Sequence, residues 1–117
     1  MRHVCAALML VLSVLTSSWA QEAARPGGFK YPPDMTGARA EVFKKVDDVE
    51  LKLFVFEPKD HQPTDKRAAV VFFFGGGWSS GSPVQFKTQS EHLASRGMVA
   101  ICADYRVKSR HQVSPDK

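Results

Sequence analysis

The sequence of 117 residues contains no asparagine and only two cysteines, and each scarcity excludes a class of feature. Without asparagine there is no acceptor for N-glycosylation. Cys5 and Cys102 are too few for a disulfide framework or a zinc site, and no histidine spacing matches a zinc pattern. Eight glycines and seven prolines are too few for a collagen-like or low-complexity chain. The hydrophobic share of 44% excludes disorder by composition, and the length allows one small domain at most.

The excess of basic over acidic residues is also small, since the formal net charge is only +4. The densest basic cluster covers residues 106–111, with Tyr105 as its only aromatic neighbour. Nucleic-acid-binding surfaces carry larger basic patches, so this cluster predicts a solvated loop. We expect no nucleic-acid partner.

Residues 1–20 have the pattern of a secretory signal peptide. A short basic start precedes an apolar run over residues 4–15, and Ser18 and Ala20 occupy the small-residue positions before a cleavage site. The run is shorter than the roughly 18 to 20 residues that span a bilayer, so no stable membrane anchor is expected. Cleavage after Ala20 would leave Cys102 as the single thiol of a secreted or periplasmic protein.

Residues 21–39 are rich in proline, glycine and alanine and predict an extended linker or strap without regular structure. Phe29 and Tyr31 are candidate anchors of such a strap in a surface groove. The domain itself is then expected over residues 40–117.

Residues 40–46 and 49–56 are expected to pair as an antiparallel hairpin, with a turn at Asp47 and Asp48, and the second of them alternates apolar and polar residues with period two. Residues 68–74 are continuously apolar, which predicts a strand covered on both faces. A helix is expected to begin at Ser82 as N-cap and to end at Gly97, before a second buried strand over residues 98–103. The fold class is therefore α/β, with strand, glycine loop, helix and strand in a right-handed unit.

The glycine loop over residues 75–81 carries the chemical signal. It follows a buried strand, where open α/β sheets bind ligands, and its backbone N–H groups could hold a phosphate or a developing oxyanion. A dinucleotide-binding fragment is one reading, since Gly75 and Gly77 fit G-x-G-x-x-G and Asp104 follows the next strand; Ser80, however, occupies the third glycine position. A Walker loop is excluded because no Lys-Ser or Lys-Thr follows the glycines.

Residues 70–78, which end in Phe-Gly-Gly-Gly-Trp, resemble the H-G-G-G-W/F oxyanion loop of α/β-hydrolase esterases. The resemblance continues through residues 81–83, 93–97 and 103–106. It is strongest to secreted carbohydrate esterases, of the feruloyl-esterase-like and acetyl-xylan-esterase-like kinds. It implies that residues 40–117 form a partial α/β-hydrolase fold, about the first third of such an enzyme and about half of its sheet.

The resemblance also implies roles for individual residues. The backbone N–H groups of Gly76 and Gly77 would form the oxyanion hole. Residues around them would support the loop: Gly75, Trp78, Asp104, Tyr105 and Arg106. Phe74 stands where the family has a histidine, so polar contacts of that histidine must be replaced by packing. The implied substrate is a small ester or an acylated polysaccharide, and no cofactor is implied.

No credible catalytic residue is present in the chain. Residues 77–81 match G-x-S-x-G through Ser79, but the same glycines match the oxyanion loop, and the family places its nucleophile after the Asp-Tyr-Arg strand. Ser79, Asp104 and His111 have the chain order of a triad, which we interpret as a coincidence of common residue types.

We therefore expect the N-terminal fragment of a secreted serine esterase, inactive alone and prone to self-association through an exposed apolar strand edge. A non-catalytic carbohydrate-binding module that uses Phe29, Tyr31 and Trp78 is the remaining alternative.

Overall fold

The computed structural model describes residues 30–114. The predicted signal peptide, its cleavage after Ala20, the Phe29 anchor and residues 21–29 of the predicted linker lie outside the described residues.

The described residues form a mixed four-stranded sheet with helices, which confirms the α/β class and the predicted order of elements. The spatial strand order is β1-β2-β4-β3. Neighbouring pairs are antiparallel except β3 and β4, which are parallel. The elements are β1 (Arg39–Val46), β2 (Val49–Phe56), β3 (Ala69–Phe73), a 3₁₀ turn (Pro83–Phe86), α1 (Lys87–Ser95), β4 (Val99–Ala103) and α2 (Lys108–His111).

The hairpin of β1 and β2 closes at the predicted turn. Val46 pairs with Val49, so Asp47 and Asp48 are the two turn residues, and Asp47 has a positive φ of 53°. Aspartate tolerates this left-handed conformation better than most residues because its short side chain bonds the local backbone. The register shifts by one residue between Val42 and Lys44, which marks a β-bulge in the edge strand.

The hydrophobic core lies between the sheet and α1. Its buried members come from the sheet, α1 and the segment before β1: Met35, Phe54, Phe56, Ala94, Ala100 and Cys102. The rings of Phe72 and Phe86 stack beside it with centroids 4.7 Å apart. Cys102 Sγ lies 3.1 Å from the hydroxyl of buried Ser90, and burial raises the pKa of this thiol.

The helix begins and ends at the predicted residues, although its first turn is tighter than expected. Ser82 is an extended N-cap whose side chain accepts the N–H of Val84, and Pro83 follows as the first helical residue. The turn from Pro83 is 3₁₀ before α1 continues. Gly97, at φ +92°, donates to Ala94 O while Met98 donates to Leu93 O, which is a Schellman ending.

β3 differs from the expectation that both of its faces are covered. Val70 and Phe72 pack against the core, whereas Val71 is 47% exposed and Phe73 is 67% exposed. The reason is that α1 covers only the face of the sheet that carries Val70 and Phe72, while no element among residues 30–114 covers the opposite face at Val71 and Phe73.

The basic cluster over residues 106–111 also differs from its predicted solvated loop. It contains the one-turn helix α2, and the side chain of Arg110 is only 13% exposed because it pairs with buried Asp104. No helix within residues 30–114 is long and apolar enough to cross a membrane.

Candidate functional site

The carboxyl ends of β3 and β4 bring the glycine loop and the Asp104 segment together. The two strands are parallel neighbours, with Phe73 opposite Ala103 in the register. The loop over residues 75–81 therefore begins beside residues 104–106, the position at which open α/β sheets bind ligands.

The backbone of the loop turns through three consecutive residues with positive φ. These angles are 135° at Gly76, 58° at Gly77 and 57° at Trp78. The N–H groups of Ser79 and Ser80 both donate to Gly76 O, at 3.0 and 3.3 Å. Within residues 30–114, the N–H groups of Gly76, Gly77 and Trp78 have no acceptor, and all three residues are exposed. Three successive free donors are suited to hold a negatively charged oxygen.

Glycine is sterically required at two positions of the loop. A Cβ atom at Gly76 would lie 2.1 Å from Ser80 O, and one at Gly81 would lie 2.4 Å from Gly75 O. Gly77 has open space around the same position. The loop is thus folded tightly at its ends and open at Gly77.

The start of the loop is fixed by two neighbouring side chains. The N–H of Gly75 donates to Gln85 Oε1 at 2.6 Å, and the Tyr105 hydroxyl donates to Phe74 O. The rings of Phe74 and Tyr105 stack with centroids 4.0 Å apart, and Phe74 is 3% exposed. Phe74 therefore packs under the loop, at the sequence position that is histidine in the H-G-G-G-W/F motif which this loop resembles.

The middle of the loop is held by α2. The N–H of Lys108 donates to Trp78 O and that of Ser109 donates to Ser79 O, both at 2.9 Å. The first N–H groups of a helix have no partner within the helix itself, so loop carbonyls satisfy two of them.

A buried ionic network lies behind the loop. Asp104 is 1% exposed, and its Oδ1 accepts from Arg110 Nη2 and from the Tyr105 N–H, both at 2.9 Å. The Tyr31 hydroxyl donates to Asp104 Oδ2 at 2.8 Å. Burial, together with this hydrogen bond and the Asp104 charge, raises the pKa of Tyr31 to about 12. Arg110 Nη1 donates to Gly81 O, which links the network to the end of the loop.

Most residues that the sequence assigned to this site are brought together by the fold: Gly75, Gly76, Gly77, Trp78, Asp104 and Tyr105. Arg106 is half-buried, and among residues 30–114 its side chain forms no hydrogen bond or ion pair with the loop. Sequence reasoning missed Gln85 and Arg110, and it named Tyr31 only as a strap anchor and not as a partner of Asp104. Buried Asp104 needs a cationic partner, but the sequence offers Arg106, Lys108 and Arg110 without a spacing that selects one.

The residues of the formal triad do not form one in the described structure. Ser79 Oγ donates to Gly77 O at 3.4 Å, and His111 Nδ1 accepts the N–H of Val107 at 3.1 Å. Burial, with a smaller contribution from the Arg110 charge, lowers the pKa of His111. His61 lies between two acidic side chains, and His92 is exposed on α1. No group of three potential metal ligands occurs in residues 30–114.

An apolar depression of about 490 Å³ adjoins the free N–H groups. Aromatic rings and loop backbone line it: Phe73, Phe74, Gly75, Gly77, Trp78 and Tyr105. The Trp78 side chain is 62% exposed at its rim. The site thus combines hydrogen-bond donors for a charged oxygen with an apolar surface.

Comparison with solved structures shows similarity to an esterase. The thermophilic esterase Est2 of the planctomycete Thermogutta terrifontis is 60% identical over 74% of this chain, with a TM-score of 0.70. Its butyrate-bound form gives the same values, and its form phosphorylated by paraoxon is 61% identical over 73% of this chain, with a TM-score of 0.69.

The match covers only part of the esterase. The chain spans 31% of the length of the native form and 33% of the paraoxon-treated form. No protein-family profile matches the sequence, and no curated protein does. The described residues are a partial α/β fold that matches about a third of an esterase.

Proposed function

We propose that this chain supplies the oxyanion loop of a secreted serine esterase that hydrolyses carboxylic esters. The observation that carries the proposal is the run of free N–H groups at Gly76, Gly77 and Trp78, held at the carboxyl end of β3. The 60% identity to an esterase over the same part of the chain supports it. The dinucleotide-binding alternative has no comparable support.

The chemical role of the loop is to stabilise charge. When a nucleophile attacks an ester carbonyl, the carbonyl oxygen becomes negatively charged in a tetrahedral intermediate. Backbone donors that already point at this oxygen stabilise the transition state, and the loss of one such donor costs roughly 3 kcal/mol. Gly76 and Gly77 are the donors that we assign.

The proposed substrates are carboxylic esters, with acyl groups of carbohydrates as the finer assignment. Structures of Thermogutta Est2 are known with propionate bound and with butyrate bound, and these are short carboxylates of the kind that ester hydrolysis releases. The apolar depression beside the loop offers a surface for the carbon chain of such a group.

We further propose that residues 1–117 alone hydrolyse no ester. The carboxylate of Asp104 is engaged by Arg110 and Tyr31, and Ser79 forms its hydrogen bond with the loop itself. A nucleophile, an acid and a histidine would have to come from polypeptide outside this sequence.

The test is to sequence the gene through the codon of Lys117 and several hundred bases beyond it. We expect a downstream frame, continuous or shifted, that encodes G-x-S-x-G followed by an acidic residue and a histidine. A stop codon with no such sequence downstream would contradict the proposal. The 117-residue protein should hydrolyse p-nitrophenyl butyrate no faster than buffer, and hydrolysis abolished by Ser79→Ala would contradict this part.

A further inference from the structure

The Arg110 side chain connects three parts of the site from behind the glycine loop. Its guanidinium donates to the Gly81 carbonyl, to Asp104 Oδ1 at 2.9 Å and to the Tyr105 carbonyl at 3.4 Å. A guanidinium carries donors in a rigid fork, so it can hold a carboxylate and a carbonyl at fixed relative positions. Lysine has one nitrogen and cannot reproduce this geometry.

Aromatic rings fix the plane of this guanidinium. Its central carbon lies 4.6 Å from the ring centroid of Tyr31 and 5.5 Å from that of Phe74. Both distances are within the range of cation–π attraction. Tyr31 also donates to Asp104, so the residues around Arg110 support one another.

We propose that Arg110 is the positioning residue of the glycine loop. Gly81 is the last residue of the loop, and its backbone lies so close to Gly75 O that a Cβ atom would stand 2.4 Å from it. Holding the Gly81 carbonyl therefore fixes the two ends of the loop relative to each other. Arg110 touches no substrate in this proposal and acts only through the backbone.

The helix that carries Arg110 gives a second connection. The N–H groups of Lys108 and Ser109, in the same turn, donate to the carbonyls of Trp78 and Ser79. The ion pair with Asp104 ties α2 to the end of β4, so these two N–H groups are presented to the loop at a fixed place.

Arg106 is the other arginine to consider for this role, because it ends the Asp-Tyr-Arg sequence whose residues were predicted to support the loop. Within residues 30–114 its side chain bonds neither the loop nor Asp104, while Arg110 bonds both. The structure assigns the role to Arg110.

The role of the loop in this proposal rests on the proposed function, whereas the contacts of Arg110 with the loop do not depend on it. It is tested on the 117-residue chain by hydrogen exchange, followed by NMR, at four amides that report the loop: Ser79, Ser80, Lys108 and Ser109. The variants are Arg110→Lys, Arg110→Met, Asp104→Asn/Arg110→Met and, as the matched control, Arg106→Met. Urea unfolding of each variant measures global stability.

We expect Arg110→Lys to keep the charge beside Asp104, and most of the stability, while the four amides exchange at least tenfold faster. The double variant leaves no unpaired buried carboxylate, so it should also remain folded with a loosened loop even where Arg110→Met does not. Arg106→Met should leave all four amides within twofold of the natural chain. The proposal would be overturned if the four amides exchanged at the natural rate in both Arg110→Lys and the double variant. It would also be overturned if Arg106→Met accelerated their exchange as much as the Arg110 variants do.

These outcomes separate the two proposals. Faster exchange in the Arg110 variants, together with no hydrolase sequence beyond Lys117, would keep the positioning role and reject the esterase function. Unchanged exchange together with a downstream G-x-S-x-G would do the reverse.

Discussion

Gly76→Ala is the substitution that tests the loop geometry most sharply. The new Cβ would lie 2.1 Å from Ser80 O, where contacts under 3.0 Å essentially never occur, so the backbone would have to move by about 0.9 Å or more. A φ of 135° adds strain of about 1–3 kcal/mol for any residue with a Cβ, and overpacking adds a further 1–3 kcal/mol. We therefore expect a loss of about 2–6 kcal/mol, a large part of the stability of a small domain.

Gly77→Ala is the matched control one residue along. Nothing lies within 4 Å of its Cβ position, and its φ of 58° is a left-handed conformation that costs alanine only about 1–2 kcal/mol. Urea unfolding of both variants, followed by far-ultraviolet circular dichroism, measures the difference. At the midpoints of these ranges, Gly76→Ala should cost about 2.5 kcal/mol more than Gly77→Ala. Equal losses, or a larger loss at Gly77, would refute the described loop.

Three further predictions concern residues around the loop. Ser82→Ala removes the side-chain cap of the helix and should lower the free energy of unfolding by about 1 kcal/mol; a change below about 0.3 kcal/mol in urea would contradict the cap. Both tyrosines should form phenolate above pH 10 in absorbance at 295 nm, because burial raises the pKa of Tyr105 and that of Tyr31, the latter to about 12. The stabilisation from protonated Tyr31 should be present below pH 10 and lost as pH rises towards 12. Asp104→Asn should lower the pKa of Tyr31, because it removes the charged acceptor of the Tyr31 hydroxyl. Two tyrosines that both titrate at pH 10 would contradict the buried network. Phe73→Lys should shift sedimentation towards monomer, because a charge on the exposed edge strand opposes strand pairing; an unchanged distribution would show that this edge does not mediate association.

The sequence predicted the sheet and the glycine loop because those features are local. Alternation over β2, the apolar run of β3 and the capping residues Ser82 and Gly97 are set by neighbours in the chain, and each appears at the expected place. A glycine run between a strand and a helix likewise requires a turn with positive φ, and Gly76 and Gly77 adopt one.

The supporting contacts could not be predicted in the same way, since they depend on long-range packing. The bond from Tyr31 to Asp104 spans 73 residues, and that from Arg110 to Gly81 spans 29. The basic character of residues 106–111 suggested solvent exposure, yet burial of Asp104 draws Arg110 inward to neutralise it. The exposed face of β3 depends on what adjoins the sheet, which an apolar run does not specify.

We propose that the glycine loop of this chain works as the oxyanion loop of an esterase. The most direct measurement uses a chimera in which residues 30–114 replace the matching third of Thermogutta Est2. The rate at which this chimera hydrolyses p-nitrophenyl butyrate is measured. We expect the chimera to hydrolyse the ester, with a kcat that Gly76→Ala lowers at least tenfold more than Gly77→Ala does. A folded chimera that hydrolyses no ester, or one whose kcat is unaffected by Gly76→Ala, would contradict it.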